Sequence, residues 1–317
     1  MSARGCLLAG AVGDALGAPV EFESLAQIRR AHGDAGVTDL LPSAYGRAGL
    51  ITDDTQMTLF TAEALLDGGE LPAALTAAYL RWLDTQELAG PAAGATGLAA
   101  QGWLYAQRAP GNACLSGLRS QRRQPGAPVN VDSKGCGTVM RSAPFGLTPR
   151  LAGPDVIADA AIAGSALTHG HPTAGISAAG LAVLVHHLSA GLDLPGALAA
   201  TLPLLAARPG HEETVDALRR AVDAAAARAE LGSLGEGWVA EEALAMSVFC
   251  ALRHPDDLRA ALLLAVNHDG DTDSTGAITG NLLGARHGEA AVPPEWAAQV
   301  EGRAMILDLA DRLAAGR

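Results

Sequence analysis

NHDGDTDSTGAITGNLLG, residues 267–284, joins an acidic loop to a helix with a bare face. Asp269, Asp271 and Asp273 alternate with small residues, the hydroxyls of Ser274 and Thr275 follow, and Gly276, Gly280 and Gly284 recur at every fourth position. Each glycine costs roughly 1 kcal/mol of helix propensity relative to alanine, so the spacing predicts that another backbone packs closely on this face. Three carboxylates within five residues repel one another unless a cation or the positive end of the following helix offsets them.

A partner for the glycine face stands at the other end of the chain. Residues 4–17, RGCLLAGAVGDALG, have good helix formers interrupted by Gly10, Gly13 and Gly17, with Asp14 set among apolar neighbours. The pattern alone leaves open whether Asp14 sits on a helix surface or in the interior. The chain then turns at Ala18-Pro19, presents Val20, Glu21 and Phe22, enters a short helix near 24–31, and runs through a Gly/Pro/Ser/Asp-rich loop, 33–51. Next comes ITDDTQMTLFTAEALLDGG (51–69), an amphipathic helix ending at Gly68-Gly69, with Thr52 or Asp53 as N-cap. Two adjacent aspartates flanked by threonines exceed what a cap requires, so this is a second acidic cluster at a helix N-terminus.

Two further helical patterns lie between Pro72 and Gln107, one around Arg81-Trp82 and one around Trp103–Tyr105, followed by a short helix at 110–119 and a loop at 120–131. In VDSKGCGTVMRSAPFGL (131–147), Gly135 and Gly137 bracket Cys136 ahead of an apolar helical start. Such glycines leave backbone N–H groups free for a phosphate or ribose, although a connecting turn is the commoner use. A helix over 153–168, capped by Asp155, closes on THGHP; its two histidines lack the further ligands a zinc site needs. Helices are expected near 173–189, 194–206, 212–231, 239–252, 255–266, 275–287 and 297–315. With no strand alternation, linker or repeat, the sequence reads as one all-α domain over 1–317.

The 317 residues are 49% hydrophobic but only 3% aromatic, so the core must be built from Ala, Leu, Val and Gly. A formal charge of −12 argues against general nucleic-acid binding, and no apolar run approaches the ~18 residues of a membrane span. Four scattered cysteines without a CxxC pair, and no secretory pattern at the start, point to a reducing cytoplasm.

Carboxylates and hydroxyls without cysteine suit magnesium, manganese or calcium rather than zinc. Four or more carboxylates converging from the two loops exceed the needs of one ion and favour two, roughly 3.5–4 Å apart. An EF-hand is excluded, because counting from Asp269 its sixth position is Ser274 and its twelfth Gly280. An aspartate-rich prenyl-transfer helix is disfavoured by Met57 three residues after Asp54 and by the scarcity of aromatics. A purely structural metal clamp joining the chain ends remains the bland alternative.

Taken together, GAVGDALGAPVEF (10–22), ITDDTQMTLF (51–60), SKGCGTVMRSAPFGL (133–147), THGHP (168–172) and NHDGDTDSTGAITGNLLGA (267–285) resemble the ADP-ribosylglycohydrolase family, which includes dinitrogenase reductase-activating glycohydrolase and the ADP-ribosyl-acceptor hydrolases. The resemblance implies a compact orthogonal helical bundle with a binuclear Mg²⁺ or Mn²⁺ centre at the mouth of a cleft. It implies Thr52, Asp53 and Asp54 as one ligand group and Asp271, Asp273 and Ser274 as the other; many relatives have threonine at the last position, and serine keeps the hydroxyl. Asp269 falls outside the matched ligands. Glu21 matches an acidic residue on a mobile loop over the metals, and Glu21, Asp53 and Asp54 are the candidates for the carboxylate that assists hydrolysis. Ser133, Lys134, Gly135, Cys136, Gly137, Met140 and His169 match segments that cradle ADP-ribose. The implied substrate is an ADP-ribosylated protein or small ADP-ribose conjugate, linked through arginine, serine or a small ester, and the protein is expected to be a monomer. A non-catalytic ADP-ribose-binding module is the alternative from another functional class.

Overall fold

Glycine decides which helices meet at the centre. In a computed structural model describing residues 2–316, α1 (Ser2–Gly17) and α12 (Thr272–His287) run antiparallel with their backbones in contact. A Cβ on Gly13 would overlap the Gly276 carbonyl, and one on Gly17 the carbonyl of Thr272. Gly280 and Gly284 lie as closely on the carbonyls of Ala9 and Gly5. The propensity lost to these glycines is therefore exchanged for approach no side chain would permit. Asn281 Nδ2 donates to Cys6 O at 2.9 Å across the seam, and Thr272 Oγ1 to Gly17 O at 3.0 Å.

The remaining helices are α2 (Leu25–His32), α3 (Asp53–Leu66), α4 (Leu71–Glu87), α5 (Asn112–Arg123), α6 (Pro154–Ala166), α7 (Pro172–Ser189), α8 (Leu194–Ala206), α9 (Glu212–Ala227), α10 (Ala240–Arg253), α11 (Leu258–Ala265), α13 (Pro294–Gln299) and α14 (Arg303–Ala315). No strand occurs among the described residues. Helices α1, α3, α7, α10 and α12 are buried nearly all round, as helices at the centre of a bundle must be, while the others cover them with one face. Alanine, leucine and valine dominate this core, and Trp82 and Trp296 are its largest fully buried side chains. No described helix is long and apolar enough to cross a membrane.

Several boundaries differ from the sequence reading, each for a local reason. The pattern around Trp103–Tyr105 forms two 3-10 turns, Gly97–Ala100 and Gly102–Leu104, rather than an α-helix. Gly90, Pro91, Gly94, Gly97 and Gly102 deny that stretch a continuous turn. After Gly137 the chain again makes only 3-10 turns, Cys136–Thr138 and Ala143–Gly146, the second containing Pro144. Helix α6 is preceded by Gly153, with Asp155 in its first turn but making no cap bond. Helix α9 stops at Ala227, where Arg228 turns left-handed (φ 54°). The pattern over 297–315 is split into α13 and α14 at Gly302 (φ 69°).

The loop before α3 is tied to the C-terminal segment. Buried Arg108 pairs with Glu301 and donates to Ile51 O at 2.8 Å, while Glu301 N donates to Gly49 O at 2.8 Å. These bonds fix residues 49–53, and with them the start of α3.

Candidate active site

Two helix N-termini and one turn converge where α1 ends and α12 begins. Thr52 caps α3, Asp271 caps α12 by accepting from Ser274 N at 3.3 Å, and the turn after α1 delivers Glu21. Fully buried Asp14 resolves the open question from the sequence by lying beneath them. Its carboxylate accepts from Thr52 N (3.0 Å), Thr52 Oγ1 (2.9 Å), Thr55 N (3.1 Å) and Thr55 Oγ1 (2.5 Å). Asp14 therefore holds the first turn of α3 and aims its two aspartates.

Glu21, Asp271 and Asp273 each place a carboxylate oxygen within 4.8 Å of the others. Asp53 and Asp54 line the same cleft just outside that tightest group, and all five are buried. Asp53 Oδ2 accepts from Gly111 N at 3.1 Å, whereas Asp54 Oδ1 and Glu21 Oε2 are buried without any partner.

Burial, followed by the charges of Asp273, Asp271, Asp53 and Asp14, pushes the Glu21 carboxyl up to about 11. Burial and Asp273 raise Asp14 to about 7. Asp53, Asp54 and Asp271 lie well above the usual carboxylate range and Asp273 above it, burial being the leading cause in each. Such a set resists full ionisation unless a cation joins it. Oxygen donors, orphaned buried carboxylate oxygens and a flanking Ser274 hydroxyl fit hard divalent cations.

A pH dependence follows. In the metal-free protein these carboxyls titrate above their unfolded values of about 4, so as pH rises the unfolded chain releases protons that the folded chain keeps. Stability from this source is complete below about pH 4 and is lost as pH climbs through about 7 for Asp14 and toward about 11 for Glu21. Between pH 7 and 8, above most histidine and below most thiol titration, EDTA-stripped protein should lose on the order of 1 kcal/mol. Saturating Mn²⁺ should remove most of that slope. Thermal unfolding at the two pH values with and without Mn²⁺ checks it, and a metal-free protein that gains stability toward pH 8 contradicts it.

Above the carboxylates opens a cleft of about 530 Å³. Gly135, Cys136, Gly137, Met140 and His169 form one wall, as the sequence motifs suggest. His169 Nδ1 lies 2.7 Å from Thr168 Oγ1, and burial together with Arg141 pulls its pKa down to about 3, so the imidazole is neutral. Cys136 N donates to Trp238 O at 3.1 Å, and its thiol donates to Asp271 Oδ2 at 2.8 Å.

Ser133 and Lys134 lie outside the lining. Lys134 pairs with Glu213 and Glu241, and its carbonyl accepts from Ala240 N at 2.8 Å, so it fastens the glycine turn to α9 and α10, while the Ser133 carbonyl accepts from His171 N at 3.3 Å. Thr52 is likewise beneath the cleft rather than in its wall. Asp269 faces away, its Oδ1 accepting from Leu25 N at 2.9 Å and so tying α2 to the acidic loop.

Sequence reasoning missed the opposite wall, residues 107–115, where Gly111 meets Asp53. It also missed Trp238 on the rim and the buried Arg141, which donates to Thr168 Oγ1 at 2.7 Å and Gly164 O at 3.0 Å behind His169. Only Arg141 had a local signal, as a charge inside an apolar motif. Loop 120–131 contributes nothing to the cleft.

Residues 2–317 match the ADP-ribosylglycohydrolase family. The chain is 26% identical to the ADP-ribosyl-dinitrogen reductase glycohydrolase of Rhodospirillum rubrum, over 94% of this chain and 90% of that protein. It is 28% identical to an ADP-ribosylarginine hydrolase of Pseudomonas putida, over 98% of this chain and 77% of that one. An uncharacterized protein of Archaeoglobus fulgidus is 30% identical over 98% of this chain and 95% of its own length. A solved structure titled as an ADP-ribosylglycohydrolase-related protein complex superposes with a TM-score of 0.75 at 28% identity, covering 99% of this chain and 97% of that one. With its paired acidic helix ends and a family match from residue 2 onward, this chain belongs to the ADP-ribosylglycohydrolase family.

Proposed function

We propose that the protein is a divalent-cation-dependent hydrolase that cleaves the glycosidic bond between ADP-ribose and an acceptor, namely arginine- or serine-linked protein ADP-ribose or a small O-linked ester. The observation that carries this reading is the meeting of Glu21, Asp53, Asp54, Asp271 and Asp273 on the floor of one cleft, with two carboxylate oxygens unpartnered. Two of the named relatives are hydrolases of ADP-ribose conjugates, which supports the reaction class and favours arginine as acceptor.

Thr52, Asp53 and Asp54 on one side and Asp271, Asp273 and Ser274 on the other would hold two cations, Mg²⁺ or Mn²⁺. Bound there, the ions supply Lewis-acid charge that orients the distal ribose hydroxyls and acidifies a water. The protein's own groups do the rest. The bare faces of Gly135 and Gly137 let His169 and Cys114 pack against this turn, whose backbone borders the cleft where the diphosphate or ribose would lie, with Met140 beside it and neutral His169 offering a ring nitrogen without adding charge. Glycosidic cleavage passes through a cation-like sugar, and the departing nitrogen or oxygen needs a proton. Glu21 is the best-placed donor, because it lines the cleft, its Oε2 has no partner and it belongs to neither ligand group. Asp53, by contrast, is committed to Gly111 N.

The test is ADP-ribose release from arginine- and serine-linked ADP-ribosyl peptides, with Mg²⁺ or Mn²⁺ and then with EDTA. Metal-dependent release from at least one peptide is expected. Tight ADP-ribose binding with release from neither would instead support the non-catalytic binding module.

A further inference from the structure

Next to the cleft lies a second pocket of about 500 Å³, and the stacked rings of Phe22 and Trp238 stand between the two, 5.9 Å apart at 14°. Phe22 is 71% exposed, which a folded chain avoids for a large apolar ring unless something covers it. Four carboxylates line the pocket, from Glu21, Glu23, Glu236 and Asp269, and among the described residues no Lys, Arg or His does. Among the described residues none of the four forms an ion pair, and Asp269 Oδ1 only accepts from Leu25 N. Glu21, only 7% exposed, and Glu23 each keep an Oε2 that is buried without a partner.

We propose that this pocket is an acceptor subsite that takes a cationic side chain, guanidinium or ammonium, from the polypeptide carrying ADP-ribose. The inference rests on the hydrolase reading above and deepens it. Glu21 and Phe22 line both cavities, so the pocket begins where the reactive end of the cleft stops. A cation entering it meets the carboxylates of Glu23, Glu236 and Asp269 with no basic side chain to compete, beside the exposed ring of Phe22, surroundings that favour a planar guanidinium. A neutral acceptor gains neither interaction. On this account discrimination between acceptors lies in residues 21–27, 232–238 and 269–270.

The test uses metal-loaded wild type and the double variant Glu23→Gln/Glu236→Gln. Neither carboxylate belongs to the ligand groups, and both are replaced by residues of the same shape. Three probes are compared: free ADP-ribose, an ADP-ribosyl-arginine peptide, and an ADP-ribosyl-serine peptide without basic residues. Each conjugate is followed by KM where it is turned over and by Kd where it is not. The variant should weaken the arginine conjugate about tenfold, the scale of one charge-assisted hydrogen bond, while the serine conjugate and free ADP-ribose stay within about twofold. Equal weakening of both conjugates, or none for the arginine conjugate, overturns the subsite alone. If ADP-ribose itself does not bind wild type, the hydrolase reading fails and the subsite fails with it.

Discussion

Asp271→Asn is expected to abolish metal-dependent hydrolysis, lowering kcat/KM at least about 10³-fold, while leaving the fold intact. A ligand carboxylate supports several kcal/mol of charge stabilisation in the transition state, and about 4 kcal/mol corresponds to that factor. Asparagine separates this loss from a folding defect. It caps helices as well as aspartate does, so the bond from Ser274 N to position 271 is retained. It also removes one of five mutually repelling buried carboxylates, so the metal-free variant should unfold at the same temperature as metal-free wild type or higher. A folded Asp271→Asn protein with wild-type turnover would remove this residue from the reaction.

Glu21→Gln addresses the proton rather than the metal. Loss of a positioned general acid costs typically 10²–10⁴-fold, and the size of the defect should depend on the leaving group. Guanidine leaves as a strongly basic nitrogen and needs the proton, whereas phosphate leaves as a stable anion and does not. The expected result is a loss of about 10³-fold in kcat on an arginine-linked substrate and a much smaller one on an ADP-ribose phosphate ester. Equal losses on both would assign Glu21 to holding the site together rather than to proton transfer.

What the sequence disclosed about this molecule depended on how local each signal was. Paired aspartates at two helix starts, and glycines every fourth residue, are read within one or two turns. The α1–α12 seam and the meeting of the two acidic clusters follow from them. Asp14 was ambiguous because α1 is buried on nearly every side, and a helix without a polar face carries no periodicity to say where one carboxylate points. The wall at 107–115 was illegible for another reason. Its contribution is a backbone N–H, that of Gly111, and backbone chemistry is the same in every sequence. Trp238 gained meaning only when the fold laid it on Phe22. Asp269 already fell outside the matched ligands, and the φ of 112° at Gly270 accompanies a turn in which it reaches Leu25 instead of the cleft.

The central claim is that these carboxylates form one site for two hard cations, and counting bound ions tests it most directly. Protein stripped with EDTA is titrated with Mn²⁺, and free ion is followed by its electron paramagnetic resonance signal. Wild type should bind two ions per chain, and Asp271→Asn should lose at least one. Binding of no ions by wild type, or an identical count in the variant, would contradict the account.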